Sequence, residues 1–156
     1  MTTPGEHVIS IRGLVNRFGP QVVHDGVDLD VRRGEVIGIV GGSGTGKSVL
    51  LRSIIGLQPP AEGSIKLLGE EVATSDTRAR ELLRRRVGVL FQDGALFSSL
   101  TVSENIQVPM REHLRLSPRV MDDFASLKLG MVGLPHFAGA KLPSELSGGM
   151  RKRAGL

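Results

Sequence analysis

The chain reads as an α/β fold, in which an antiparallel sheet and a buried strand lead into a glycine loop and helix, with a helical region behind. Three observations predict it. Ile9 and Ile11 alternate with Ser10 and Arg12, and Val27, Leu29 and Val31 alternate with Asp28 and Asp30, the period-2 pattern of strands with one wet face. The run Val36-Ile37-Gly38-Ile39-Val40 is continuously apolar, as in a parallel strand covered on both faces. That run leads straight into Gly41-Gly42-Ser43-Gly44-Thr45-Gly46-Lys47-Ser48, a match to G-x-x-x-x-G-K-[ST].

The remaining elements follow in order. From Ser48 the run Val49-Leu50-Leu51-Arg52-Ser53-Ile54-Ile55-Gly56-Leu57 predicts a mostly buried helix that ends before Pro59 and Pro60. Residues 64–68 and the following Gly69-Glu70 read as strand and turn, and Asp76 caps a helix whose Ala79, Leu82 and Leu83 share one face. Val87-Gly88-Val89-Leu90-Phe91 is a second buried-strand candidate. Helices and loops take over beyond it. Thr101-Val102-Ser103-Glu104 is a capping box, Ser117-Pro118 sets a cap before an N1 proline, and Leu127, Leu129, Met131 and Val132 supply apolar surface. The organisation expected is a mixed sheet core with the phosphate loop over residues 1–92, a helical subdomain over 93–146, and a final segment over 147–156.

Composition narrows the function. The 156 residues are 40% apolar, enough for one ordinary core, and contain no cysteine, which excludes disulfides and thiolate metal sites. The start Met1-Thr2-Thr3-Pro4-Gly5-Glu6 lacks basic and apolar leader regions, and no apolar run approaches the roughly 18 residues of a membrane span. A cytoplasmic chain is expected. The net charge of +4 permits anionic partners. Arg84-Arg85-Arg86 and Arg151-Lys152-Arg153 read as solvated helix surface, because Trp and Tyr are absent and the five Phe are scattered. No stacking platform for nucleic acid is expected.

A buried strand, a glycine loop and a helix in succession make an anion site, since backbone N–H groups point into the loop and the helix start adds positive charge. In that motif Lys47 lies on the β- and γ-phosphates as a point charge, and the Ser48 hydroxyl on Mg2+.

A second glycine motif, Leu146-Ser147-Gly148-Gly149-Met150, stands near the end, and Phe91-Gln92-Asp93 lies between the two. Glycine loop, Gln and LSGG in this order resemble the nucleotide-binding domain of ABC transporters over essentially the whole chain. The resemblance implies a P-loop NTPase fold with an antiparallel β subdomain and a helical subdomain, and ATP and Mg2+ as cofactors. It implies that Phe18 stacks on adenine and that Gly41, Gly42, Ser43, Gly44, Thr45, Gly46, Lys47, Ser48 and Val49 hold the nucleotide. Gln92 then reaches Mg2+ and the attacking water, sharing the metal with Ser48 and the catalytic role with Lys47. Ser147, Gly148 and Gly149 contact the nucleotide bound by a second copy, so the partner expected is a head-to-tail homodimer. Met150 departs from the Gln most common in the family at that position.

A narrower likeness runs through residues 90–97, 108–113 and 143–150, which resemble Mla-type ATPases of phospholipid traffic. It implies an integral membrane permease that residues 93–113 face, an Mce-domain lipid-binding partner, and a peripheral place on the cytoplasmic face of the inner membrane. The family's metal-holding Asp, catalytic Glu and switch His belong after the signature, and Arg151-Lys152-Arg153-Ala154-Gly155-Leu156 follows the family pattern to the last residue. The chain therefore reads as a fragment, with a sheet edge unpaired and negligible ATP hydrolysis alone; the alternatives are a truncated nucleotide-binding module without turnover, or the ATPase subunit of an ABC transporter for another cargo. Glu70-Glu71 reads as an exposed hairpin turn, and His7, His24, His113 and His136 as surface or packing residues.

Overall fold

Two long strands dominate the first part of the computed structural model, which describes residues 7–73, 76–92 and 94–156. β1 (His7–Phe18) and β2 (Gln21–Arg32) form an antiparallel hairpin closed where Phe18 opposes Gln21. β3 (Glu62–Leu67) pairs with β1, and the short β4 (Glu70–Glu71) pairs with β3, giving the order β2-β1-β3-β4. The expected alternation is realised across the hairpin, with Ile9 opposite Val31 and Ile11 opposite Leu29. A register shift between Ile11 and Leu14 then re-phases β1, so these residues, both 0% exposed, face the same core. The Asp28 carboxylate accepts from the Gly13 N–H at 2.7 Å, giving the bulged backbone a partner.

α1 (Lys47–Ile54) covers this face, and Leu50 and Ile54, one turn apart, close a core with Ile11, Leu14 and Ile65. It ends as expected before Pro59, through Ile55 and a left-handed Gly56. α2 (Thr77–Arg84) is capped by Asp76, whose carboxylate accepts from Arg78 N at 2.9 Å. Of its predicted apolar face only Leu83 is buried, and Leu82 is exposed.

Two predicted strands do not form. Residues 36–40 and 87–91 have no regular structure, and Val36 and Val40 are 96% and 92% exposed. The sheet is therefore antiparallel throughout the described residues, not mixed. A parallel strand takes its hydrogen bonds from neighbours delivered by crossover connections, and no described strand flanks either segment. Continuous apolarity specifies that a segment wants covering, and not what covers it.

One compact unit ends at Gly88 and a second begins at Val89. The second contains α3 (Val102–His113), α4 (Pro118–Met131), two 3-10 turns (His136–Ala140 and Pro143–Glu145) and α5 (Gly148–Ala154). Both expected caps are in place. Thr101 Oγ1 accepts from Glu104 N at 3.2 Å while Glu104 accepts from Thr101 N at 2.7 Å. Those Thr101 donors, its N–H first and its hydroxyl second, hold the Glu104 carboxyl below its usual range. Ser117 caps α4 ahead of Pro118. Val102, Leu129, Leu134, Ala138 and Leu146 form the core, whereas Leu127 and Met131 of the predicted apolar set are exposed. Buried Gln107 donates to Asp122 at 2.8 Å and accepts from Arg111 at 2.8 Å, joining α3 to α4.

Candidate functional site

Every α-helix after the first begins with a side-chain oxygen that accepts from its opening turn: Asp76, Thr101, Ser117 and Ser147. α1 has none. Its N-cap is Gly46, left-handed at φ 92, with no side-chain cap hydrogen bond and no acidic residue in the first turn. The opening N–H groups of α1 therefore face outward with the positive end of the helix dipole, next to an exposed loop over residues 41–45. That donor set fits an anion with several oxygens. The Lys47 ammonium bridges the loop, donating to Gly41 O at 2.7 Å, to Gly42 O and to Thr45 Oγ1 at 3.3 Å. Thr45 Oγ1 in turn donates to Gly42 O at 2.9 Å. Ser48 and Val49 follow in the first turn, with Ser48 exposed.

Beneath the loop stands a polar set that the sequence did not reveal. A Cβ added to Gly46 would lie 2.5 Å from Val23 Cγ1 and 2.8 Å from His24 Nε2, so β2 is packed directly against the residue before Lys47. His24 Nδ1 is 2.9 Å from Asn16 Oδ1, and Asn16 Nδ2 donates to Ser53 Oγ at 3.1 Å. Asn16 and Ser53 are 2% and 0% exposed. His24, expected as a surface or packing residue, thus belongs to a network joining β1, β2 and α1. The one hint in the sequence is the polar Asn16 directly after Leu14 and Val15.

Phe18 is exposed at the hairpin end. Gln92 lies in an exposed turn closed by Gly94 N donating to Phe91 O at 2.9 Å, and Asp93 of that motif is outside the described residues. The turn rests on α5: a Cβ on Gly155 would meet Gly94 Cα at 2.5 Å, and one on Gly94 would meet Arg151 O at 3.1 Å. Gln92 and Ser147 are thereby tied to one helix. Ser147 Oγ accepts from Met150 N at 3.3 Å, which leaves its O–H free to donate outward. Gly148 and Gly149 are exposed, and a Cβ on either meets nothing within 4 Å. Met150 packs against the second core, so it anchors α5 instead of lining the exposed motif.

The basic run of α5 is less solvated than expected. Arg153 donates to Gly133 O at 2.7 Å and to Val132 O at 3.4 Å, gripping the end of α4, while Arg151 donates to Leu146 O at 3.3 Å. Glu70 and Glu71 are exposed, as expected of a hairpin. Among the described residues no group of three or more His, Cys, Asp or Glu could hold a metal ion. Mg2+ needs no such cage when phosphate oxygens and water complete its shell, and a single hydroxyl such as that of exposed Ser48 suits that mode.

Residues 24–156 match the ABC transporter family. This chain belongs to that family. The ABC chain is 44% identical over 148 residues to the probable ribonucleotide transport ATP-binding protein mkl of Mycobacterium leprae, covering 95% of this chain and 42% of that protein. It is 38% identical over 151 residues to the intermembrane phospholipid transport system ATP-binding protein MlaF of Haemophilus influenzae, covering 97% and 57%. Among solved structures, the dimeric post-hydrolysis state of the ATP-binding cassette MJ0796 bound to ADP and Pi superposes with a TM-score of 0.83 at 27% identity, covering 94% of this chain and 66% of that one. The ABC chain thus spans about half the length of these curated relatives, 42% and 57%. No helix among its described residues is long and apolar enough to cross a membrane.

Proposed function

We propose that this ABC chain is the ATP-binding and hydrolysing part of a transporter that moves phospholipid between bacterial membranes. It works as a head-to-tail homodimer on the cytoplasmic face of the inner membrane, beneath an integral membrane permease and with an Mce-domain lipid-binding partner. One observation carries the nucleotide assignment: the uncapped start of α1, preceded by a glycine loop whose carbonyls Lys47 bridges.

Bound MgATP supplies a phosphoanhydride whose hydrolysis releases free energy for transport. The chain's part is to hold and orient. Lys47 would exchange the carbonyls of Gly41 and Gly42 for phosphate oxygens, replacing neutral acceptors with anionic ones. Backbone N–H groups from residues 42–49 would surround the phosphates, and the Ser48 hydroxyl would hold Mg2+, with the Gln92 amide oxygen a second ligand by the family resemblance. Gln92 also orients the attacking water, and the exposed ring of Phe18 stacks on the base.

The dimer reading rests on Ser147, Gly148 and Gly149. Nothing inside the chain requires glycine at the last two, since each has open space around it. Glycine there serves an approach from outside, and the outward O–H of Ser147 suits a phosphate oxygen held by a second copy. Substituting Lys47→Ala should abolish tight binding of a fluorescent ATP analogue; unchanged affinity in the titration refutes the nucleotide site.

Phospholipid as cargo is supported by the likeness of residues 90–97, 108–113 and 143–150 to Mla-type ATPases and by the similarity to MlaF of an intermembrane phospholipid transport system. The similarity to mkl, a probable ribonucleotide transport protein, points instead to ribonucleotides. Transfer of a fluorescent phospholipid by the reconstituted transporter, set against transfer of a labelled ribonucleotide, decides between them.

A further inference from the structure

We infer that His24 is a positioning residue for the phosphate loop: its ring, anchored through Nδ1 to the buried Asn16–Ser53 pair, is the floor on which Gly46 rests, and it sets the loop's affinity for nucleotide. The inference rests on the nucleotide reading of residues 41–48. Gly46 is the hinge of that loop. Its φ of 92 is a conformation that glycine enters and leaves freely, so the backbone alone does not hold the following N–H groups in one direction. An anion gains affinity from a loop that is already ordered, because the ordering cost is then not charged to binding.

The geometry supplies the missing restraint from below. Asn16 gives its Nδ2 to Ser53, which leaves Oδ1 to accept from His24 Nδ1 and turns the Nε2 edge of the ring toward Gly46. Asn16 stands on β1 and Ser53 on α1, the helix that begins at Lys47. One rigid ring therefore links both walls of the site, and no Cβ fits between it and Gly46. His24 does not touch phosphate in this account; it acts through Gly46.

The test is titration of the intact protein with a fluorescent ATP analogue and Mg2+, alongside thermal melts with and without nucleotide. His24→Asn keeps an amide donor for Asn16 but withdraws the ring from Gly46, and should weaken affinity about five- to tenfold, the scale of one good contact. His24→Leu, which fills the volume without the anchor, should weaken it at least as much. In the wild type, the ring 15N resonances of His24 should shift on nucleotide addition. A merely structural histidine lowers the melting temperature of free and bound protein equally and leaves affinity unchanged; that result in His24→Asn overturns the inference. Should the wild type itself fail to bind, the loop assignment falls first, and the two failures are thus distinct.

Discussion

Asp30 is the most strongly perturbed acid among the described residues. Its carboxylate accepts from Arg12 Nη2 at 2.8 Å and from Ser10 Oγ at 2.8 Å. The Arg12 hydrogen bond first, and the Ser10 hydroxyl second, lower its pKa to about 2. A depressed carboxylate contributes stability that is fully present above the unfolded value of about 4 and is lost as pH falls through the folded one. Circular-dichroism melts between about pH 4 and pH 2 should show the wild type losing stability faster than Asp30→Asn, and parallel curves would remove Asp30 from the acid response. Residues of this kind were only partly legible beforehand. Ile9 and Ile11 announced a buried face by alternation alone, because period 2 is written locally. Leu14 did not, since the bulge that turns it inward breaks the period. Asn16 and Ser53 lie 37 positions apart, and only the packing of α1 on β1 brings them together.

Helices with a chemical start signal form where the sequence predicts them, as do the alternating strands, whereas the two continuously apolar runs do not form strands. Asp76, Thr101 and Ser117 cap the helices they were expected to cap, because a cap is satisfied within one turn of its own helix. Thr101→Ala removes the hydroxyl that accepts from Glu104 N and leaves the backbone N–H that donates to the Glu104 carboxylate, and chemical denaturation should register a loss of about 1 kcal/mol with an unchanged slope. The two apolar runs over residues 36–40 and 87–91 carried an equally clear pattern, yet neither is a strand here. Their pairing is set by tertiary neighbours, and no local rule supplies those. The phosphate loop lay between these cases. Its residues were readable from the motif, whereas the ring beneath it came from β2, whose His24 carries no motif.

At the scale of the molecule, apolar side chains of those runs face solvent, with Val36 and Val40 almost fully so and Leu90 and Phe91 exposed as well. Exposed apolar surface of that kind is a docking site or an aggregation liability. The 156 residues expressed alone should bind the dye ANS; a cooperative melt with no dye binding would contradict this. The family was legible from three short motifs because each is written in adjacent residues, while cargo was not, since no residue of the chain is assigned to touch it. The bare start of α1 reaches furthest. A helix whose only cap is its ligand makes nucleotide a folding partner as well as a fuel. At a hundredfold excess over Kd, binding adds about 2.7 kcal/mol to stability. Melting temperature then reports occupancy, rising with ATP in the wild type and flat in Lys47→Ala, and hydrogen exchange should slow first in the opening turn of that helix.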